Sequence, residues 1–543
     1  MSRMTKLRNS RDTWKQKAVT RGTTIRYQRK ELRRLKRERD QYKRQARQAR
    51  AGDETSRAVP SASKVDVVWF SLQLFMVVHL SFRAISRVLT LLAEPLGLSK
   101  APCPQTVSNW VTRLSLVRIK VGTGFLEPSA VGRYGAGSIW LLDTSIGLGD
   151  GKILAVLAVN LHHYLTSCRA PMLSQVTCLA ICVAPSWTGE RIADVLANLI
   201  AVTGCPAAYL KDGGSDLSKA VRLLGEQGLD SPCISDISHM SANLLKHAYH
   251  QHPQFAPFVS ACSAVSTALT HTIFACLTPP KVLYKARFMN LHRLVTWAHR
   301  LLQHTPSGHA AHDAVLARLR AKLGDLPACK PFIARFLRDA QVLLACQKLF
   351  KTTGLSPASY QACQPLLETL PAESPVRQEF GAWADQHLAV GRTLGLEHVG
   401  LPVTSDSIES LFGIAKQHGV GAIKDANRIA LRLPALTGEL THEEAQQVLR
   451  IRVKEQHDIL GKLPSLVRQR QEILSNPGRL HELSEQHDIP TNLVLLPGSK
   501  NRINTTITPY ISAGCNNSTG PPLGPQATNL ECLKFLGHSS HMI

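Results

Sequence analysis

The sequence predicts an α/β protein: a mixed sheet core carrying an all-helical insertion and preceded by basic helical segments. Three observations predict it. Short apolar runs that end on an acid recur at residues 138–143 (Ser-Ile-Trp-Leu-Leu-Asp), 207–212 and 233–236, the pattern of buried strands closed by turn chemistry. Two more strand-like runs follow the first, while stretches of helical period separate the later ones. From about residue 244 to 402 no convincing strand pattern appears.

Charge is the most informative feature of the composition. The chain has 543 residues, room for two to four domains, and carries 64 Lys+Arg against 39 Asp+Glu, a formal +25. Such an excess implies a polyanionic partner. Residues 1–50 hold 19 basic and 4 acidic residues, or +15, leaving +10 for the remaining 493. No run of eighteen apolar residues occurs, so nucleic acid is favoured over a membrane. Thirteen cysteines are scattered without a Cys-x-x-Cys pair, and Cys178 and Cys182 lie in an apolar run where core packing is the simplest role. Without a secretory signal, the chain is expected in the cytoplasm, associated with the nucleoid, with its thiols reduced.

Residues 1–50 read as one basic helix of good helix formers. Leu32 and Leu35 are too few for a coiled coil, and Arg33, Arg34, Lys36 and Arg37 are expected on DNA phosphates, where each contact releases counterions. Residues 51–63, with Gly52 and Pro60, read as a linker. Residues 64–120 suggest a helix-turn-helix-like DNA-binding domain. There Ser81 caps a helix bearing Ile85, Val88, Leu89 and Leu92, a break follows at 96–99, and a second helix presents Gln105, Thr106, Ser108, Asn109 and Arg113 to base edges. The connection is longer than the usual three or four residues, so a plain helical hairpin is the competing reading.

The catalytic domain is expected over 135–430. After a glycine-rich bridge, the strand ending at Asp143 is followed by an Asp150-Gly151 hairpin signal, a second strand to about Leu161 and a third over 175–184. A helix over 188–203, the strand ending at Asp212, a helix over 215–227 and the strand ending at Asp236 complete the set. Three hairpin-connected strands, then two strands separated by helices, is the order of an RNase H-like core. The insertion over 244–402 includes helices at 292–304 and 331–350. It also carries a basic and aromatic cluster in which Lys281, Lys285 and Arg287 would meet phosphate beside aromatic rings that stack on unpaired bases.

In the segment 405–416, Ile408, Leu411 and Phe412 form an apolar stripe. Glu409 lies off it, and Lys416, seven residues on, returns to nearly the same face, so the two would hold a metal and a DNA phosphate in register. Residues 431–490 read as a helical region. Beyond that, 491–543 are rich in Gly, Pro, Asn, Ser and Thr and are expected to be disordered.

Carboxylates at neighbouring strand ends suit hard divalent cations, which take oxygen ligands and often add substrate phosphates. Two Mg²⁺ (or Mn²⁺) ions about 3.5–4 Å apart would stabilise the attacking and leaving oxygens of a phosphodiester, so the acids point to phosphoryl transfer on DNA. Each acid also has a bland role: Asp143 as a turn cap, Asp212 as a helix cap, Glu409 as a solvated helix position.

The Asp ending the first strand, the Asp ending the fourth and the Glu on a late helix stand in a characteristic order. With them come Asp-Ile-Ser-His at 236–239, Pro-Pro-Lys at 279–281, Lys-Ala-Arg-Phe-Met-Asn at 285–290 and Ile-Glu-Ser-Leu-Phe-Gly at 408–413. Over roughly residues 65–430 this set resembles the DDE transposases of bacterial insertion sequences. The resemblance implies Asp143, Asp212 and Glu409 as catalytic and metal-binding residues, two Mg²⁺ (or Mn²⁺) ions, double-stranded DNA as transposon ends and target, and a homo-oligomer, dimeric on DNA. Asp236 and His239 are candidates for orienting the metal-binding acids, or structural residues. Where that pattern has an arginine four residues before the acid, Ser405 stands instead, a departure from its hairpin-forming version. The rival readings are an RNase H-like endonuclease or resolvase that cuts without joining, and a catalytically degenerate DNA-binding regulator.

Overall fold

The structure, a computed structural model, describes residues 3–52, 62–123, 137–144, 151–162, 164, 171–281, 287–304, 314–417, 426–460, 466–480 and 494–495. The chain divides into two compact units, residues 1–63 with 88–101 and residues 64–87 with 102–543.

In the first unit, α1 (Arg3–Gly52) is a 50-residue helix with no acid in its first turn. Arg33, Arg34, Lys36 and Arg37 are all exposed on it, and Arg34 pairs with Glu31 at 2.6 Å and Glu38 at 3.7 Å. The expected linker falls mostly outside the described residues; its last residues, Ala62 and Ser63, are described, and Ala62 donates its N–H to Leu96 at 3.1 Å.

The second unit is built on a mixed sheet. β1 (Ser138–Thr144), β2 (Lys152–Asn160) and β3 (Val176–Ala184) form an antiparallel meander, and β4 (Ala208–Lys211) and β5 (Cys233–Ser235) run parallel to β1. A short β6 (Val494–Leu495) pairs antiparallel with Ile181 and Cys182 of β3, giving the order β5-β4-β1-β2-β3-β6. The first five strands have the order and directions of an RNase H-like core, as the element pattern predicts. Helices α5 (Gly189–Thr203) and α6 (Ser215–Glu226) connect β3 to β4 and β4 to β5. Thr188 caps α5 by accepting from the Arg191 N–H at 3.5 Å, which starts the helix where the apolar period begins.

Alternation along the strands assigns the two faces. Trp140, Leu142, Leu154, Val156 and Tyr209 pack with Ile192, Leu196, Leu199, Leu217 and Leu224 of α5 and α6, each fully buried aliphatic contributing roughly 1.5–3 kcal/mol. Ile139 and Leu141 are buried on the opposite face, and Asp143 belongs to that face by parity. Cys178 and Cys182 are fully buried in β3, and burial pushes the Cys182 thiol up to about 12, so both are inert packing residues.

Before the sheet stand α2 (Lys64–Met76), α3 (Phe82–Leu91) and α4 (Pro104–Gly122); Ser81 accepts from the Ala84 N–H at 3.2 Å, as a cap should. From Trp110 to Ile119 every residue of α4 except Arg113 is buried. Its final residue, Gly122, lies so close to β3 that an added Cβ would meet Thr177 Cγ2 at 2.8 Å, so only glycine allows that approach. This stretch of the helix is therefore core, whereas at its start Gln105 is exposed and Thr106, Ser108 and Asn109 are half-buried. Arg118, 3% exposed, joins it to the region 435–444 through Glu444 at 3.2 Å and the carbonyls of Ala435, Gly438 and Glu439.

After β5, the described residues up to 402 form helices joined by turns and loops, with one isolated bridge, Leu355 with Leu401. The helices are α7 (Ile237–Tyr249), α8 (Phe255–Leu269), α9 (Arg287–His304), α10 (Ala314–Ala321), α11 (Lys330–Thr353), α12 (Pro357–Leu367) and α13 (Pro375–Thr393). His387 of α13 closes the outer edge of β5. Its Nε2 accepts from the Ser235 N–H at 2.8 Å while Nδ1 lies 2.7 Å from the Trp383 carbonyl, and burial holds the ring below its ordinary pKa. Phe288 is buried and stacked on Phe255 at 5.4 Å, so this ring belongs to the core and is not free to stack on a base. Then come α14 (Asp406–Gln417), α15 (Ala426–Ala430), α16 (His442–Arg450), α17 (Val453–Leu460) and α18 (Leu466–Ser475). Of the expected tail over 491–543, only Val494 and Leu495 are described; the rest lies outside the described residues.

Candidate active site

Strand register places the acids. Leu142 pairs with Lys211 and Lys211 with Ser235, so Asp143, Asp212 and Asp236 are each the next residue on three adjacent parallel strands, about 4.8 Å apart from one to the next. Side chains at equivalent positions share a face. The fourth acid comes from α14, whose Ile408, Leu411, Phe412 and Ala415 are buried while Glu409 lies on the exposed side.

The four carboxylates differ in what they already hold. Asp143 Oδ1 accepts the Thr144 N–H at 2.6 Å. Asp212 Oδ1 accepts the Gly214 N–H at 2.9 Å, and an added Cβ at Gly214 would meet that oxygen at 2.8 Å, so the Asp-Gly-Gly sequence lets the carboxylate fold back on its own turn. Among the described residues each keeps its second oxygen open, and Glu409 accepts no hydrogen bond. Asp236, 1% exposed, is saturated. Its Oδ1 accepts from His239 N (2.9 Å) and faces His239 Nδ1 (3.2 Å), and its Oδ2 accepts from Ser405 N (2.7 Å) and Ser405 Oγ (3.0 Å).

The charges of these groups act on one another. Burial, and then the Asp212 charge, push the Asp143 carboxyl up to about 7, with Glu409 adding to the rise and His239 opposing it. Partial desolvation, then Asp236 and Asp406, raise Glu409, while His239 and Lys351 oppose. The hydrogen bond to Asp236 raises the His239 imidazole to about 9 against the effect of burial, with Asp212 and Glu409 contributing. Burial works against ionising Asp236, but the bonds from His239 and Ser405 outweigh it and hold its carboxyl low. The result is an imidazolium beside a group of acids whose repulsion a cation would relieve.

Among the described residues no three His, Cys, Asp or Glu side chains form a ready-made metal cage. The donor set still fits a hard divalent cation: open carboxylate oxygens on neighbouring strands match an ion that binds through one or two carboxylates and completes its shell with substrate phosphate and water.

The other sequence-selected residues are dispersed. Lys416 is exposed on α14 and Lys281 is exposed ahead of α9; Arg287 opens α9, and Lys285 lies outside the described residues. Gln105 is exposed and donates to Asn109 at 3.0 Å, Thr106, Ser108 and Asn109 are half-buried, and Arg113 donates to Gln456 at 2.7 Å. Sequence reasoning noted Ser405 only as a departure from the resembling pattern and missed its bonds to Asp236, and it missed the pairing of Lys351 with Asp406. Lys351 Nζ bonds both oxygens of Asp406 at 2.8 Å. No local signal could have found them, since their partners lie 169 and 55 positions away along the chain.

No family model matches the chain, and no curated protein matches it. Among solved structures, the Drosophila P element transposase strand transfer complex aligns at a TM-score of 0.38 and 11% identity, covering 73% of this chain and 97% of that one. No helix among the described residues is long and apolar enough to cross a membrane.

Proposed function

We propose that the protein is a DDE-type DNA transposase, a polynucleotidyl transferase acting at the ends of a mobile element. The observation that carries this reading is that Asp143 and Asp212, at equivalent ends of adjacent parallel strands, keep open oxygens among the described residues, and that the Asp212 and Glu409 charges both add to the rise of the Asp143 carboxyl. The formal +25 supports a DNA substrate.

Asp143, Asp212 and Glu409 would hold two Mg²⁺ or Mn²⁺ ions, which supply charge stabilisation at the attacking and leaving oxygens. The chain's own task is placement. Asp143 and Asp212 would present their carboxylates from the ends of β1 and β4, and Glu409 would present its own from α14. Lys416, Lys281, Lys285 and Arg287 meet DNA phosphates, and the exposed arginines and lysines of α1 add a sequence-independent grip. Gln105, Thr106, Ser108 and Asn109 are the base-reading candidates, acting in a cytoplasmic, nucleoid-bound dimer. Hydrolysis frees a 3′ hydroxyl at the element end; that hydroxyl then attacks a phosphodiester of the target and expels its 3′ oxygen. Neither step needs a protein nucleophile, so positioned carboxylates suffice.

The test is an Mg²⁺-dependent joining assay with element-end duplexes and a plasmid target. The wild-type chain cuts and joins, whereas Asp143→Asn, Asp212→Asn and Glu409→Gln each abolish both while DNA affinity stays within a few fold. Cutting without joining would make the protein a nuclease or resolvase. Binding without metal-dependent cutting would make it a DNA-binding regulator.

A further inference from the structure

Glu409 is the one acid of the site that does not come from the sheet, so something must fix the helix that carries it. The start of α14 is tied at two adjacent residues. On the sheet side, Asp236 Oδ2 takes both the N–H and the hydroxyl of Ser405, at 2.7 and 3.0 Å, and the next residue, Ile237, donates its N–H to the Val403 carbonyl at 2.8 Å. On the insertion side, Lys351 of α11 clamps both oxygens of Asp406 at 2.8 Å. Asp236 is 1% exposed and Ser405 3%, so water does not compete for the first tie, and charge-assisted bonds in such surroundings are the strong ones.

We infer that Asp236 is a positioning residue: its carboxylate latches the Ser405 end of α14 to the end of β5 and thereby sets where Glu409 stands relative to Asp143 and Asp212. Asp236 occupies the strand position equivalent to the two other acids but has no oxygen left for a metal, since its four hydrogen-bond contacts all go to its own chain. Its Oδ1 contacts with His239 hold the carboxylate in the rotamer that presents Oδ2 to Ser405. This gives Ser405, which replaces an arginine of the resembling pattern, a definite task as the donor pair of the latch.

The inference rests on the metal-site reading of Asp143, Asp212 and Glu409, and its test uses two readouts on the full-length chain so that the two claims fail separately. The first is hydrogen exchange of the backbone amides over residues 405–412. The second is Mn²⁺ binding followed by the electron paramagnetic resonance of the free ion. Asp236→Asn accelerates exchange in that segment and weakens Mn²⁺ binding roughly 10–100-fold, the usual effect of removing a residue that orients a ligand. In the Glu409→Gln background it weakens Mn²⁺ binding no further, because the ligand it positions is already gone. Ser405→Ala, which removes one donor and leaves the N–H, shifts both readouts the same way by less, and serves if Asp236→Asn does not fold. Unchanged exchange in both variants overturns the latch. An equal loss of Mn²⁺ affinity with and without Glu409 also overturns it, by making Asp236 a ligand in its own right. A wild-type chain that binds no Mn²⁺ removes the metal-site reading, and exchange alone then decides the latch.

Discussion

At the scale of single residues, the acids were visible as a pattern in the sequence, but only the resemblance, and not the pattern, set Asp236 apart from the other three. Asp143, Asp212 and Asp236 all follow short apolar runs, so pattern alone offers four carboxylates with Glu409 for three places. Hydrogen bonding separates them, because Asp236 is saturated by His239 and Ser405 while the others keep open oxygens. A partner 169 positions away along the chain leaves no local trace. The site also carries a stability cost that can be measured. Asp143 titrates near 3.8 in an unfolded chain and at about 7 in the fold. The folded state therefore binds the proton more tightly, and stability is lost as pH rises from about 4 to 7. Asp143→Asn removes the charge and is expected to stabilise the metal-free chain by on the order of 1–3 kcal/mol at pH 8 and by little at pH 4. Denaturant unfolding at the two pH values checks this, and an equal effect at both would show that Asp143 does not ionise against its neighbours.

At the scale of elements, the strands were legible because buried parallel and central strands are short apolar runs with few alternatives; 138–144 and 176–184 lie where the pattern put them. The helix over 104–122 was legible as a helix, but not as a buried one. Its Gln, Thr, Ser and Asn look like a reading face in sequence, whereas residues 110–119, Arg113 apart, are packed on β3 and the C-terminal helices. Two-residue β6 is too short to carry a period at all. For α1, composition and structure agree on a long helix with exposed arginines and lysines. Deleting residues 1–50 removes a net +15 and should flatten the dependence of DNA affinity on salt, because fewer counterions are released on binding. Fluorescence anisotropy over a salt series reads the slope, and an unaltered slope would mean that α1 does not lie on phosphate.

At the scale of the molecule, the order of elements specified the RNase H-like topology, since a meander followed by two parallel strands admits few sheet orders. It did not specify how the insertion meets the catalytic sheet. That follows from side chains such as Lys351 on Asp406, which join α11 to the helix carrying Glu409, and from His387, which covers the β5 edge from α13. The chain thus reads as a sheet that fixes two acids and a helical body that delivers a third. The most direct measurement of that arrangement is an anomalous difference map from crystals of the full chain grown with Mn²⁺ and a duplex end. The account predicts density between the carboxylates of Asp143 and Asp212, with Glu409 completing the site and Asp236 still bonded to Ser405. Manganese bound elsewhere, or none on these three acids with DNA in place, would contradict it.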